Sequence, residues 1–458
     1  MLLGPVFERF CEHSPISVMI RGCLEHALVP DELDELFRRH AQEQYTRELL
    51  FSSVVDLMAL VVTGVRKSVH AAYQASPEQI RVSLTSVYNK LQGLEPHVCA
   101  ELVRYAAARL GPVLLELGGT TPKPVPGYRL RVLDGNHLPA TEHRLAETRA
   151  DAAAPLPGQA LVVFEPALGL VTDVFPCEDG HAQERSLLAD VLARVQRRDL
   201  WLADRNFCVR QFLLSVMAKG GFFIIREHAN LGWEHAGKLY GHGRIEGARV
   251  REQRVAVRDD DGKRVYLRRV VLTLEQPTRD GDTEIALLTN LPKEAADARA
   301  VGRLYRKRWT IEGAFQDLAV ALHSEIDTLC YPRAALFVFC VALAAYDVLG
   351  AVKGAVRAAH GAEAAEELSA YYLADEIAGT HRGMMIAIPA EHWRVFRVLS
   401  PEQMADVLLR LAGKVRLERF RRHRRGPKKP PVKRRYSKKR PHVSTAKLLE
   451  KRYHKKPA

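Results

Sequence analysis

The stretch YRLRVLDGN, residues 128–136, decides how this chain is read. Its Tyr128, Leu130, Val132 and Asp134 alternate onto one face, the period of two that a strand imposes. A carboxylate therefore sits where the strand leaves its core. Further along, DLWLADRNF repeats the design and ends its apolar run at Asp204. Between them, ALVVFE and LVTDVFP flank Pro166-Ala167-Leu168-Gly169 and predict a hairpin. GHAQERSLLADVLARVQRR then predicts an amphipathic helix. The order is strand, strand, strand, helix, strand, with an aspartate closing the first and the last.

This order resembles a ribonuclease-H-like core, in which the first and fourth strands are neighbours. Adjacent strands would bring Asp134 and Asp204 within reach of a shared metal. A third carboxylate comes from YRKRWTIEGAFQDL, residues 305–318. Read as one helix, it carries Tyr305, Arg308 and Glu312 on a single face at i, i+3 and i+7. Two divalent cations about 3.5–4 Å apart need bridging and flanking oxygen ligands, which three carboxylates supply. Hard oxygen donors favour magnesium or manganese over zinc. Taken singly, each acid has a structural account: Asp134 as a turn residue before Gly135-Asn136, Asp204 as a helix cap, Glu312 as an i, i+4 partner of Arg308. Their joint occurrence in the right element types points to two-metal phosphoryl transfer on DNA. Glu284 and Asp317 are set aside as third ligands, the first lying in an insertion and the second off the Glu312 face.

At 458 residues the chain has room for two or three domains, and 47% apolar with 27% charged residues marks a mostly globular protein. Its net charge of +14 is very uneven. Residues 414–458 hold 20 Lys or Arg against Glu418 and Glu450, a net of +18, which leaves −4 for residues 1–413. The basicity belongs to the tail, where Pro and cations preclude a packed core; disorder and salt-dependent polyanion binding are expected there. Seven scattered cysteines (Cys11, Cys23, Cys99, Cys177, Cys208, Cys330, Cys340), with no C-x-x-C pair, argue against a disulfide framework or a cysteine zinc site. The N-terminus shows no secretion signal. The longest apolar run, residues 334–346, reads as a buried helix and not a membrane span. A cytoplasmic, reduced protein without a membrane partner is expected.

The fold class expected is α/β, with four parts. Residues 1–125 read as a helical domain: DELDELFRRHAQEQYT is amphipathic, FSSVVDLMALVV is buried, and Ser76-Pro77-Glu78 carries helix-start signals. Residues 126–345 form the catalytic domain, with a β-rich insertion at about 228–292 that contains the turn Asp260-Asp261-Gly262. Residues 346–413 read as helical, and 414–458 as the basic tail.

LDGNH around Asp134, LWLADRNF around Asp204 and YRKRWTIEGAFQDL around Glu312 together resemble the DDE transposases of the insertion-sequence-four family. The resemblance spans roughly residues 125–345. Its most specific block is Tyr-x2-Arg-x3-Glu-x6-Lys, met by Tyr305, Arg308 and Glu312; Ala319 stands where the family has its DNA-contacting lysine. His323, one turn further, is a candidate substitute. The resemblance implies that Asp134, Asp204 and Glu312 ligate two Mg2+ or Mn2+ ions. It implies that Tyr305 and Arg308 hold phosphate oxygens, that Trp309 stacks on a displaced base, and that Arg205 touches DNA or pairs with the triad. It further implies terminal inverted repeats and target DNA as partners, a homodimer at synapsis, and cut-and-paste transposition. Two other readings stay open: a decayed or domesticated DNA-binding protein, and a ribonuclease-H-like nuclease without strand transfer.

Overall fold

The alternation at residues 128–136 becomes strand β1 (Arg129–His137), which runs three residues beyond Asp134. Asp134 is therefore no turn residue, because Gly135 and Asn136 stay in the ladder. Leu130 and Val132 face the main core, whereas Leu133 faces a second core across the sheet. The computed structural model describes residues 4–44, 48–77, 80–139, 141, 144–150, 155–278, 281–324, 326, 328–423 and 443–453, without the side chains of 309 and 451–453. The predicted hairpin is β2 (Gln159–Glu165) and β3 (Leu170–Cys177), paired antiparallel. Gly169 takes φ +72 at its turn, a conformation glycine adopts without strain.

β4 (Asp199–Ala203) lies parallel to β1, with Arg129 opposite Asp199 and Val132 opposite Leu202. Arg129 Nε pins the entry of this pair, 2.8 Å from Asp199 Oδ1. β5 (Phe222–Arg226) continues parallel to β4. The order β3-β2-β1-β4-β5 has first and fourth strands adjacent, as a ribonuclease-H-like core requires.

The insertion is not a separate body. Its strands β6 (Tyr240–Ile245), β7 (Ala248–Arg258), β8 (Arg264–Leu274) and β9 (Glu284–Thr289) extend the same sheet. β9 pairs antiparallel with β5, Leu288 opposite Ile225, and so covers what would be an open edge. With the short strand Glu234–His235 the sheet has ten strands. Asp259 Oδ1 accepts from the amides of Asp261 and Lys263 and closes the β7–β8 turn.

From the N-terminal region, α1 (Pro15–Ala27) packs on α2 (Pro96–Glu116), and α2 lies against β3 of the sheet. The helix expected from Ser76 begins instead at Leu84, capped by Ser83, whose hydroxyl accepts from the Ser86 amide. Ser76 Oγ donates back to the Ala72 carbonyl, a bond that closes the preceding helix. The helix expected over GHAQERSLLADVLARVQRR is shorter: a 3-10 turn (Glu184–Leu187) leads into α3 (Leu188–Arg194).

The stretch expected as one helix is two, α4 (Ala298–Arg306) and α5 (Trp309–Ala321), with Asp297 capping the first. At the joint, the amides of Lys307, Arg308, Thr310 and Ile311 bond three residues back, the tighter 3-10 pattern. α6 (Pro332–His360) is long and apolar enough for a membrane, but 83% of its most apolar window is buried in this fold. Its Asp347 is fully buried and accepts from the Val171 amide at 2.7 Å, tying helix to sheet.

Helices continue to Ala412. The tail departs from expectation where it is described. Phe420 is buried and its carbonyl accepts from the Ser369 amide, while Val443–Ser444 pairs with Pro155–Leu156 and leads into the helix Thr445–Tyr453. Apolar anchors such as Phe420 and Val443 vanish in an average over so many cations. Most of the expected disordered stretch, residues 424–442 and 454–458, lies outside the described residues.

Candidate active site

Two aspartates meet because of strand register. The β1–β4 pairing ends at Val132 opposite Leu202. Continued two residues, that register sets Asp134 of β1 opposite Asp204, which lies one residue past the end of β4 and whose charge acts on Asp134. Each is fixed by backbone: Asp134 Oδ1 accepts from the Gly135 amide at 3.1 Å, and Asp204 Oδ1 from the Asn206 amide at 2.7 Å. Asp204 thus also caps the 3-10 turn Arg205–Phe207, so its cap role and its place in the site coexist.

Arg308 gathers the third acid. Its Nη1 donates to Asp134 Oδ2 at 2.8 Å and its Nη2 to Glu312 Oε1 at 3.2 Å. The Tyr305 hydroxyl, buried, hydrogen-bonds the same guanidinium. The break between α4 and α5 leaves this grouping intact, since Arg308 keeps αR dihedrals at the head of α5. Glu312 remains half-exposed and reaches Asp134 only through Arg308.

The electrostatics follow from the crowding. Burial pushes the Asp134 carboxyl up to about 6; Arg308 opposes this, Asp204 adds to it, the Gly135 amide opposes it and Glu184 adds again. Burial alone would weaken the hold of Arg308 on its proton, but Asp134, Tyr305, Asp204 and Glu312 together raise its pKa. Burial also raises the Tyr305 phenol.

Glu184 carried no signal beyond an acid at the start of a helix. In the fold it lies beside Asp134, near enough that a Cβ on Gly135 would meet its Oε1 at 1.8 Å. Its Oε2 accepts from Asn206 Nδ2 at 3.2 Å, joining it to the Asp204 turn. His137, Glu184, Arg185 and Asn206 line a cavity of ≈ 390 Å³ there.

Other expected positions fall elsewhere. Arg205 is exposed and its charge acts on Asp282. Trp309 begins α5, but its side chain lies outside the described residues. His323 is not on the helix: α5 ends at Ala321, and His323 takes φ 40 with its ring near Gly64. Ala319 offers no polar contact. Glu284 engages Arg251 and Thr273, and Asp317 engages Lys353, so neither joins the site.

The donors suit a divalent cation in chemistry: two hard carboxylates side by side, one held up to about 6 by burial and by its acidic neighbours. Among the described residues no group of three or more acid, His or Cys side chains stands ready as a metal cluster. The positive charge between Asp134 and Glu312 is supplied by Arg308.

Residues 126–346 match the family model of the transposase DDE domain. That match does not single out the insertion-sequence-four branch. No curated protein matches the chain. Among solved structures, the chain is similar to the piggyBac transposase of a cryo-EM synaptic complex with hairpin DNA. That likeness has a TM-score of 0.38 and 11% identity, covering 83% of this chain and 84% of that one.

Proposed function

We propose that this protein is a transposase that cleaves DNA at the ends of its element and joins the freed 3′ ends to target DNA. The observation that carries this reading is the approach of Asp134 on β1 to Asp204, just past the end of the parallel strand β4, with Glu312 tied to Asp134 through Arg308. The site lies inside the stretch that matches a transposase DDE domain.

Asp134 and Asp204 would hold Mg2+ or Mn2+, with Glu312 joining them once Arg308 turns to a phosphate. Bound there, such ions lower the pKa of water and stabilise the leaving oxygen. Arg308 presents a planar fork that matches two phosphate oxygens, and Tyr305 fixes the plane of that fork. In cleavage, a water oxygen bonds to phosphorus as the bond to the 3′ oxygen breaks, and the water proton leaves to solvent. In joining, that 3′ oxygen bonds to a target phosphorus as the target's own 3′ oxygen leaves. Each step makes one P–O bond and breaks one, so neither requires an external energy source. The helical N-terminal region is the candidate for terminal-repeat binding, the basic tail adds non-specific affinity, and synapsis of two ends requires a dimer.

The test is cleavage and joining in magnesium or manganese on DNA carrying the ends of the element. Wild type is compared with Asp134→Ala, Asp204→Ala and Glu312→Ala. Joining by wild type, lost in all three while DNA binding survives, is the expected result. Binding by wild type without cleavage in either metal would leave a DNA-binding protein and remove the enzyme.

A further inference from the structure

On the far side of α5 from the carboxylates lies a cavity of ≈ 800 Å³. One wall is α5 itself, through Thr310, Gly313 and Asp317; the floor is one face of α6, through Tyr346, Lys353 and Arg357. Tyr371, Tyr372, Arg422 and His423 close the rim. Asp317 is the single acid among these residues. Its Oδ2 lies 3.5 Å from Lys353 Nζ and 3.8 Å from Arg422 Nη2. Arg357 donates through Nη1 to the Gly119 carbonyl, while its Nε is buried without a hydrogen-bond partner among the described residues. Two guanidiniums and one amine thus share the cavity with one carboxylate, Glu366 acts on Arg357 from outside the cavity, and burial makes Lys353 the costliest to keep charged.

Aromatic rings share the rest of the wall with Leu168, Val320 and Leu349. Tyr346 meets Phe164 with ring centroids 6.4 Å apart, and Tyr371 and Tyr372 meet at 5.5 Å. Tyr371 is 50% exposed and Tyr372 stands edge-on to His423. Excess cations beside stackable rings, in a space within the roughly 300–1,000 Å³ of ordinary ligand sites, match one chemistry: a phosphate joined to a planar base. Gly313 leaves the α5 wall open, since a Cβ there would meet nothing within 4 Å. Beyond His423 the sequence enters RRGPKKPPVKRRYSKKR, the most cationic stretch of the chain.

We infer that this cavity is a nucleotide-binding site that receives a single-stranded nucleotide of the DNA substrate. Lys353, Arg357 and Arg422 take the phosphate, and the tyrosines stack the base. The inference rests on the DNA-acting reading above, but the site is separate from the carboxylates. A free nucleoside monophosphate offers the same chemistry as a strand, so the test includes both.

The full chain is titrated with fluorescent oligothymidylate and with thymidine 5′-monophosphate, at several salt concentrations, for wild type, Arg422→Glu, Tyr371→Ala and Lys353→Gln. Arg422 and Tyr371 lie at the rim, so those variants are expected to fold even if Lys353→Gln does not. Tyr371→Ala should weaken the oligonucleotide about tenfold with an unchanged salt slope. Arg422→Glu should weaken it and lower the slope by about one. An oligonucleotide carrying 5-iodouracil should photocrosslink to Tyr371 or Tyr372. Binding of the oligonucleotide but not the monophosphate assigns the site to a strand; equal loss of both in the variants assigns it to free nucleotide and overturns the strand reading. Wild-type affinity in both rim variants, without a crosslink, overturns the site while leaving cleavage at the carboxylates intact. A protein that binds oligonucleotide through this cavity but never cuts DNA would retain the site and lose the transposase.

Discussion

The two faces of α5 carry opposite ionic designs. On one, three carboxylates (Asp134, Asp204, Glu312) act on a single guanidinium, Arg308. On the other, Lys353 and Arg422 flank a single carboxylate, Asp317, with Arg357 in the same cavity. Each network leaves charge unbalanced, and of opposite sign. Buried or half-buried charge without a partner is expensive, so an excess of carboxylates calls for cations and an excess of cations calls for anions. A helix only 13 residues long thus separates a place suited to metal from a place suited to phosphate. The sharpest way to break the comparison is to remove the acids. Asp134→Ala, Asp204→Ala and Glu312→Ala should each lower cleavage on the order of 10³-fold or more, since a lost metal ligand removes several kcal/mol from the transition state. Arg422→Glu should leave cleavage of pre-bound DNA within a few-fold. Comparable losses in both sets, measured in single-turnover assays, would make the two networks one site.

The carboxylate side has a second signature, in pH. Asp134 is pushed up to about 6 in the fold from an ordinary 3.8, so the folded state holds the proton more tightly than the unfolded chain does. Stability from this group is therefore highest below about pH 4 and falls as pH rises towards 6, by on the order of 2–3 kcal/mol. Asp56, also buried and pushed up to about 6, produces a fall in the same window. Asp347 and Glu165, also raised by burial, add to the decline, so Asp134→Asn should remove part of it, seen as urea midpoints that differ less between pH 4.5 and pH 7 in metal-free buffer. An undiminished decline in the variant would mean that Asp134 titrates normally and that neither its burial nor its acidic neighbours raise it.

The core was legible in the sequence because strand periodicity and strand order are local properties. YRLRVLDGN and DLWLADRNF had to be strands, and a neighbouring first and fourth strand then brought Asp134 to Asp204. The joint at Lys307 and Arg308 was not legible, since apolar spacing is continuous across it and only backbone bonding reveals the tighter turn. The fusion of the insertion with the core sheet was hidden for a different reason. Pairing of β9 with β5 joins residues far apart in the chain, and alternation in each strand says nothing about its partner. His323 failed because a helical wheel assumes that the helix continues, whereas α5 stops two residues earlier. Arg308 was visible as an i, i+4 neighbour of Glu312, but its bond to Asp134 spans 174 positions of sequence.

That bond makes Arg308 an internal competitor for the cation the carboxylates call for. Arg308→Ala should therefore bind Mn2+ about tenfold more tightly than wild type, the equivalent of one pKa unit of lost competition, while losing its grip on DNA phosphate. Titration calorimetry with Mn2+ alone reads the first effect without any catalytic step. Weaker Mn2+ binding in the variant would show instead that Arg308 orders the acids and does not compete with the metal.

The smallest effect concerns Glu184, which determines how far the acidic side extends. A methyl on Gly135 would fall 1.8 Å from Glu184 Oε1, so Gly135→Ala must swing that carboxylate away. The displaced atom is the end of a flexible side chain, and the change should cost less than about 1 kcal/mol of stability. Glu184 would then leave Asn206, the residue whose amide holds Asp204. If Glu184 belongs to the acidic network, Mn2+ affinity falls about threefold to tenfold in Gly135→Ala, and equally in Glu184→Gln, which keeps the shape and removes the charge. A fall in Gly135→Ala alone would mean that backbone position matters and the charge does not. Affinity unchanged in both would confine the network to Asp134, Asp204, Glu312 and the arginine between them, and the contrast between the two faces of α5 would be correspondingly smaller.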